Sequence, residues 1–389
     1  MRKPYHIVFT TIFQPKILES LYANIERYGH LADTKVWVVG DRKTPDSARL
    51  LAKEIGEKGL ETVYMDIPFQ DAWGKTYSEL YKRIPYNNET RRNLGYLAAL
   101  EDGCEVLISI DDDNFPAEDD FIGGHAQTGK SWEGNSITEK SGFHNVCEYL
   151  TFAPSREIFP RGYPFNLRGE KNKPKTTKAK KGARIGVTAG LWLAEPDIDA
   201  TTWLNGKVQA VSYIGKKTQV LDQKTWTPIN TQNTSVAREL IPAYLCVPMG
   251  FSVPGGKIER YGDIWGGYFL QAFMQGTSYH VAFGKPIVEH RRNPHSYIDD
   301  LRHEFWGLLL TDWLVTTLRN KFKPKERDIL GRVQELARFL GKESVAELPL
   351  WCPPEMKQFL VHTGENMSYW GRACESAIKK STLAKASED

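Results

Sequence analysis

Val106-Leu-Ile-Ser-Ile-Asp-Asp-Asp-Asn114 decides how this chain is read. An apolar run broken by a single Ser is the pattern of a strand buried on both faces, and this one stops abruptly in three carboxylates. In an open α/β sheet, ligands bind in the crevice beyond the carboxyl ends of the strands, so Asp111, Asp112 and Asp113 stand where a substrate would. Three clustered negative charges repel one another, and a divalent cation bridging to a nucleotide pyrophosphate is a common way to neutralise them. An Asp-x-Asp at a strand end is therefore the pattern expected of a nucleotide-sugar enzyme. The alternative is that the acids cap the next turn, since Asp and Asn favour loops.

Upstream, Ile7-Val-Phe-Thr-Thr-Ile-Phe13 reads as a first strand, and Pro15 opens a helix to about Tyr28 that Gly29 ends. Lys35-Val-Trp-Val-Val-Gly-Asp41 reads as a second strand, followed by a helix from about Pro45 to Glu57 and a short strand from Glu61 to Asp66. Strand and helix in alternation predict parallel strands with right-handed crossovers, which puts Thr10 and Asp41 at the same edge as Asp111. Such positions meet the base and ribose in a nucleotide-binding sheet, although a strand-end Asp is as often a turn residue. After an irregular or weakly helical stretch over 70–86, Glu89 to Gly103 is a helix with a C-cap glycine that delivers the chain into the central strand. Arg91 and Arg92 sit in its first turn, where cations oppose the helix dipole. That misfit points to an anionic ligand, and a solvated face is the plainer reading.

Downstream, residues 115–150 carry Gly123-Gly124, Gly129 and Gly134 and read as surface loops and short edge strands. Arg161-Gly-Tyr-Pro-Phe-Asn-Leu-Arg168 differs in kind: two arginines bracket an aromatic, proline-containing turn. Each guanidinium could grip a pyrophosphate bidentately, while Tyr163 and Phe165 could stack on a sugar or base. The lysine-rich run over 170–184 has no apolar periodicity, so it is a solvated loop or a flap that closes over an anionic substrate. Ile185 to Ala194 is a Gly-bearing apolar strand where something approaches the backbone closely, and 196–204 a turn and short helix. Residues 205–235 look like an inserted hairpin, and Tyr244 to Val253 like another buried strand. Glu259 to Met274 begins as a charged turn and becomes an aromatic-rich helix; Asp263 near its start is a second carboxylate candidate or an ordinary first-turn acid. Tyr279 to Phe283 and Ile287 to Val288 are late strand material ending at Glu289-His290. Helical spacing then governs 304–320, 325–340 and 354–361, and the last ten residues read as frayed. The division expected is a catalytic domain over 1–296 and a helical region over 297–389 that packs on it or on another subunit.

A length of 389 residues suits one large α/β domain with an appendage, or two domains. An apolar fraction of 41%, with 11 Trp, 17 Tyr and 17 Phe, argues for a packed core rather than disorder. The 51 basic and 48 acidic residues balance too closely for nucleic-acid or membrane binding by bulk charge, so any basic site is local. Cys104, Cys147, Cys246, Cys352 and Cys374 are odd in number, scattered and without a C-x-x-C, which fits reduced thiols rather than a disulfide framework or zinc site. The N-terminus shows no signal-peptide core and no stretch reaches the roughly 18 apolar residues of a membrane span, so a cytoplasmic protein is expected. No internal repeat is visible.

Gly95-Tyr96, Ile110-Asp-Asp-Asp113, the octapeptide 161–168, Gly190-Leu-Trp-Leu193, Pro196-Asp197, Asp199-Ala200, Arg260-Tyr-Gly-Asp-Ile-Trp-Gly266 and Asn293-Pro294 occur in that order. Together they resemble the reversibly glycosylated polypeptides, the family of UDP-arabinopyranose mutases and their microbial relatives. The resemblance implies a glycosyltransferase-A-like (Rossmann-like) mixed sheet flanked by helices, and a divalent metal, Mn2+ or Mg2+, on the acidic motif. It also implies interconversion of pyranose and furanose forms of a nucleotide-linked sugar. By position, Arg161 matches the family's reversibly glycosylated arginine and Arg168 its second required arginine. His290 aligns with the family histidine ahead of Asn-Pro when a one-residue gap is allowed. The lysine-rich insertion, the 205–235 segment and the C-terminal helices look foreign to the plant pattern, which leaves the nucleotide open between UDP and GDP.

Such an interconversion breaks the anomeric C–O bond, exchanges ring oxygens and reforms the bond to the same diphosphate, with nothing oxidised overall. The roles that follow are metal ligation by Asp111, Asp113 and His290, a diphosphate grip by Arg161 and Arg168, and handling of sugar-hydroxyl protons by Asp263. Thr10, Asp41, Arg91, Asp111, Asp112, Tyr163 and Trp192 are the substrate-binding candidates. A guanidinium with a pKa above 12 is a poor nucleophile, so an electrostatic role is expected of Arg161. Two other readings stay open: a metal-dependent glycosyltransferase that passes the sugar to an acceptor, and a non-enzymatic sugar-nucleotide-binding scaffold subunit.

Overall fold

In a computed structural model, residues 2–386 are described apart from 171–173, 217, 294 and 295. The first hundred residues alternate as their periodicity predicts: β1 (Tyr5–Thr11), α1 (Ile17–Arg27), β2 (Thr34–Gly40), α2 (Asp46–Glu57) and β3 (Glu61–Met65). The short helices α3 (Ile67–Gly74) and α4 (Ser78–Tyr81) follow, then α5 (Arg92–Asp102), which feeds β4 (Val106–Ile110). Ile17, Leu18, Leu21 and Ile25 on α1, and Ala48, Leu51, Ala52 and Ile55 on α2, recur at helical spacing and form the stripes that bury against the sheet. Gly103 ends α5 with a φ of 97°, a left-handed cap that a residue with a Cβ adopts only at a cost.

Short elements come next: β5 (Asn114–Pro116), α6 (Phe121–His125), β6 (Asn135–Thr138), β7 (Leu150–Ala153), β8 (Lys175–Lys178), β9 (Arg184–Ala189) and β10 (Trp192–Ala194). The chain continues through α7 (Ala200–Leu204), β11 (Gln209–Tyr213), β12 (Thr218–Val220), β13 (Asn233–Ala237), β14 (Phe251–Val253) and β15 (Gly256–Ile258). It then forms α8 (Gly262–Met274), β16 (Tyr279–Gly284) and β17 (Val288–His290). The main sheet has the order β12-β16-β9-β13-β4-β1-β2-β3, and a second sheet the order β5-β17-β10-β11-β7. β4 is parallel to β1, whereas β13 runs antiparallel to both β4 and β9. The single serine of the central strand is satisfied inside the core, because Ser109 Oγ donates to the Thr231 carbonyl and accepts from the Tyr96 hydroxyl.

Three expectations are corrected here. Residues 205–235 are no hairpin: β11 joins the second sheet, β12 the main sheet, and β13 starts within this stretch as a central strand. Its polar sequence hides it, since Asn233 and Ser235 pair with buried His125 and the Leu191 carbonyl instead of with water. The strand expected over 244–253 shrinks to β14. Upstream of it, the Asn93 side chain bonds both the N–H and the carbonyl of Cys246 and takes the place of a neighbouring strand. The lysine-rich run is partly ordered, because β8 pairs antiparallel with β6; residues 171–173 lie outside the described residues.

From Tyr297 the chain is helical: α9 (Tyr297–Lys321), α10 (Ile329–Arg338), the short α11 (Ser344–Ala346) and α12 (Pro354–Ala386). The helix expected over 354–361 is thus the first quarter of a longer one, and of the tail read as frayed, 380–386 are its last turns while 387–389 lie outside the described residues. Met356, Phe359, Met367, Trp370, Cys374 and Ala377 form its buried stripe against α5 and α10, and the Arg2 guanidinium donates to the Ser381 carbonyl. All five cysteines are free and four are buried. Among the described residues, no helix is long and apolar enough to cross a membrane.

Candidate active site

The acids at the end of β4 acquire their geometry from the second sheet. β5 starts immediately after Asp113; its Asn114 pairs with His290 at the end of β17, and the Arg291 N–H donates to the Asp113 carbonyl at 2.9 Å, which brings Asp113 beside His290. Asp113 Oδ2 lies 3.4 Å from His290 Nε2, while His290 Nδ1 donates to the Glu195 carbonyl at 2.7 Å. Burial opposes the charge on both, but the pairing prevails: Asp113 is held below the ordinary carboxylate range and His290 above the ordinary imidazole value. Asp112 has no such partner, and burial, with the charges of Asp113 and Asp111 beside it, raises its carboxyl to about 6 against a hydrogen bond from Thr11. Asp111 is raised too, by burial and Asp113, although Arg92 Nη2 donates to it at 2.6 Å.

Arg161 is buried between two carboxylates. Its Nε and Nη2 meet Asp197 at 2.8 and 3.3 Å, and its Nη1 and Nη2 meet Asp263 at 3.2 and 2.9 Å. The remaining N–H donates to the Arg260 carbonyl, so all five donors of the guanidinium are used. Burial works against this charge, and Asp197 with Asp263 overcomes it. Local backbone makes the approach possible: Gly162 has a φ of 82°, and a Cβ there would sit 2.2 Å from Ile264 Cγ2 on α8. Asp263 stands in the first turn of the same helix, where a carboxylate also suits the dipole.

One cavity of about 120 Å³ collects these groups. Asp111, Asp113, Arg161, Asp263 and His290 line it, together with Glu89, Arg92, Asp197, Arg260 and Arg292. The other sequence candidates lie elsewhere. Thr10 is the next-to-last residue of β1, in register with Val39, and Asp41 accepts from the N–H groups of Arg42 and Asn88, one residue before Glu89. Arg91 turns away from the acids to Gln70 and the Tyr81 hydroxyl, with its guanidinium 4.3 Å from the Tyr86 ring. Arg168 is held by Asp199 at 2.5 Å between the rings of Phe159 and Phe165. Tyr163 packs in the core beside Phe143 and Phe159, and Trp192 lines a narrow crevice next to Arg161 and Asp197. A larger cavity, about 560 Å³, opens by Tyr213, Phe283 and Gly190 and holds none of the predicted residues.

Asp197, Arg260 and Arg292 were not among the sequence candidates, and of the cationic pair Arg91–Arg92 the substrate-binding candidate was Arg91, whereas Arg92 lines the cavity. A signal for Asp197 and Arg260 was present, since both stand in the fragments that carry the family resemblance; Arg292 had none beyond its place two residues after His290. For a divalent cation the donor chemistry fits in outline. A ligating histidine ordinarily donates its second ring N–H to a carbonyl or carboxylate, as His290 does to Glu195, and that leaves Nε2 next to the Asp113 oxygen. Among the described residues, no group of three His, Cys, Asp or Glu closes around a single point. Such sparse protein ligation is usual where substrate phosphates complete the coordination.

A mixed α/β sheet that gathers acids and arginines beyond a strand's carboxyl end is the architecture of a protein that binds a small charged ligand there. The chain belongs to the family described as "Reversibly glycosylated polypeptide", which matches residues 62–347. It is similar to UDP-arabinopyranose mutase 1 of Oryza sativa subsp. japonica, with 26% identity over 265 residues covering 67% of each chain. It is also similar to a probable UDP-arabinopyranose mutase 1 of Zea mays, with 26% identity over 304 residues, 78% of this chain and 75% of that one. Among solved structures, glucosyl-3-phosphoglycerate synthase from Mycobacterium tuberculosis, in complex with Mn2+ and uridine-diphosphate-glucose, matches at a TM-score of 0.36 and 14% identity. That match covers 80% of this chain and 79% of that one. The mannosyltransferase PcManGT from Pyrobaculum calidifontis, in complex with GDP-Man and Mn2+, matches at 0.36 and 12%, over 100% of this chain and 75% of that one. Likeness this loose places no ligand.

Proposed function

We propose that this chain is a metal-dependent nucleotide-sugar mutase that interconverts the pyranose and furanose forms of a UDP- or GDP-linked sugar. The observation that carries it is that the Asp113–His290 pair, Arg161 and Asp263 line one cavity. Family membership and the names of its plant relatives support the same reaction class. The reversed β13 beside the acid-ended β4 supports the glycosyltransferase-A-like reading of the fold.

Asp113 and His290 would hold a Mn2+ or Mg2+ ion, which when bound supplies Lewis-acid neutralisation of the diphosphate. The reaction needs the anomeric C–O bond to break with its electron pair on the diphosphate, the sugar ring to reopen and close through a different hydroxyl, and the same bond to reform. Arg161, its charge already balanced by Asp197 and Asp263, would hold the Asp263 carboxylate in a fixed position that does not have to reorganise as the diphosphate leaves and returns. Its firm protonation supports an electrostatic rather than a nucleophilic role. Asp263 would accept and return the hydroxyl proton during closure. Thr10 and Asp41 would meet the nucleoside at the ends of β1 and β2.

A second reading, transfer to an acceptor, is favoured by one feature: the larger cavity shares Gly190 with the crevice beside Arg161. Incubating the full chain with UDP- and GDP-sugars and Mn2+, without acceptor, separates the two. An isomeric nucleotide sugar is the expected product, and free nucleotide with released sugar would favour transfer. No change in any nucleotide sugar would reject both.

A further inference from the structure

The four arginines of the acid-lined cavity are not equivalent. Arg92 donates to Asp111, Ser109, the Thr231 carbonyl and the Glu89 carbonyl, and Arg161 spends all its donors as described, so neither has a nitrogen to spare. Arg260 uses Nε on Glu304 at 3.0 Å and Nη1 on Asp300 at 3.3 Å, and its Nη2 meets no acceptor among the described residues. Arg292 donates Nη2 to Asp300 at 3.2 Å and lies over the rings of Trp203 and Tyr297 at 5.3 and 5.9 Å. Its Nη1 is shielded from solvent and has no partner among the described residues, a cost that a ligand oxygen would remove.

Both arginines are held from outside the cavity by one helix. Asp300 and Glu304 are four residues apart on α9 and so share a face. Glu304 is fully buried and also accepts the N–H of Ala200 at 2.8 Å. Arg260 takes a φ of 59°, unusual for a residue with a side chain, and its carbonyl meets Arg161 while its guanidinium reaches back to α9. Two guanidiniums thus lean on one shared carboxylate, each with a nitrogen left over, and both line the cavity that Asp111 and Asp113 also line.

We propose that Arg260 and Arg292, braced by Asp300 and Glu304, form the receptor for the two phosphates of a nucleoside diphosphate, while Arg92 and Arg161 fix the carboxylates. This rests on the nucleotide-sugar reading above. The test is isothermal titration of the full chain, with Mg2+, against UDP, GDP, UMP and GMP, in the wild type and in Arg260→Gln and Arg292→Gln. The wild type binds one diphosphate more tightly than its monophosphate. Each variant weakens the diphosphate about tenfold to a hundredfold and changes the monophosphate by less than about threefold. Thermal melts check folding, and if Arg292→Gln melts early, Arg292→Lys, which keeps the charge against Asp300, is read the same way. Folded variants that retain the diphosphate preference, or lose both nucleotides equally, overturn the receptor and leave the nucleotide-sugar reading standing. A wild type that binds neither UDP nor GDP overturns both.

Discussion

Arg91 and Arg92 are adjacent, yet only Arg92 reaches the acids. Successive residues on a helix point about 100° apart, so the sequence marks the turn as cationic without saying which guanidinium faces the strand ends. The same holds for the octapeptide: its arginines are legible as a pair, but their separation, one on Asp197 and Asp263 and the other on Asp199, depends on long-range partners. Two variants distinguish fold from chemistry at this scale. Asp197→Asn leaves a buried guanidinium half-paired and should cost about 3–5 kcal/mol in denaturant unfolding. Asp113→Asn leaves the buried His290 able to lose its proton, so it should cost less, about 1–2 kcal/mol, while abolishing Mn2+ binding measured by calorimetry. Equal losses of stability in the two would show that the acids of β4 are structural.

β13 shows why an element can be central and still be missed. Alternation and apolar runs reveal strands whose partners are apolar, whereas Asn233-Thr-Ser235 is buried through a network with His125, Thr128 and the Leu191 carbonyl. The network carries a pH signature. Burial lowers His125 to about 4, against an ordinary 6.5, so between those values the unfolded chain binds more protons than the folded one. Stability contributed by the neutral imidazole is therefore complete above about pH 6.5 and lost as pH falls towards 4, by on the order of 3 kcal/mol. His6, also lowered to about 4, adds a similar loss. Denaturant midpoints at pH 7 and 4.5 should show this slope, and His125→Gln should remove its share; an unchanged slope would refute the assignment. In the α8 contact, Gly162→Ala should destabilise by about 1–3 kcal/mol, because a left-handed residue would meet Ile264. A melt like the wild type's would show that the loop relaxes freely.

At the scale of the molecule, the acid-ended strand and the alternation that builds its sheet were readable because both are local patterns. The helices after residue 297 were readable as helices, but their task was not, since it lies in what Asp300, Glu304 and the stripe of α12 touch. The division at 296 and 297 can be tested directly. A fragment over 1–296 would bare the core face that Met356, Phe359 and Trp370 cover and release the brace on Arg260 and Arg292, so it should aggregate or melt without cooperativity. A fragment with a sharp transition and wild-type nucleotide affinity would establish two separable units. The most direct measurement of all is the position of Mn2+, located by anomalous scattering, in crystals of the full chain grown with UDP or GDP. Mn2+ between Asp113 and His290, bridged to phosphate oxygens in the cavity that Arg161 lines, is the expected result; metal and diphosphate in the larger cavity by Tyr213 and Phe283 would contradict it.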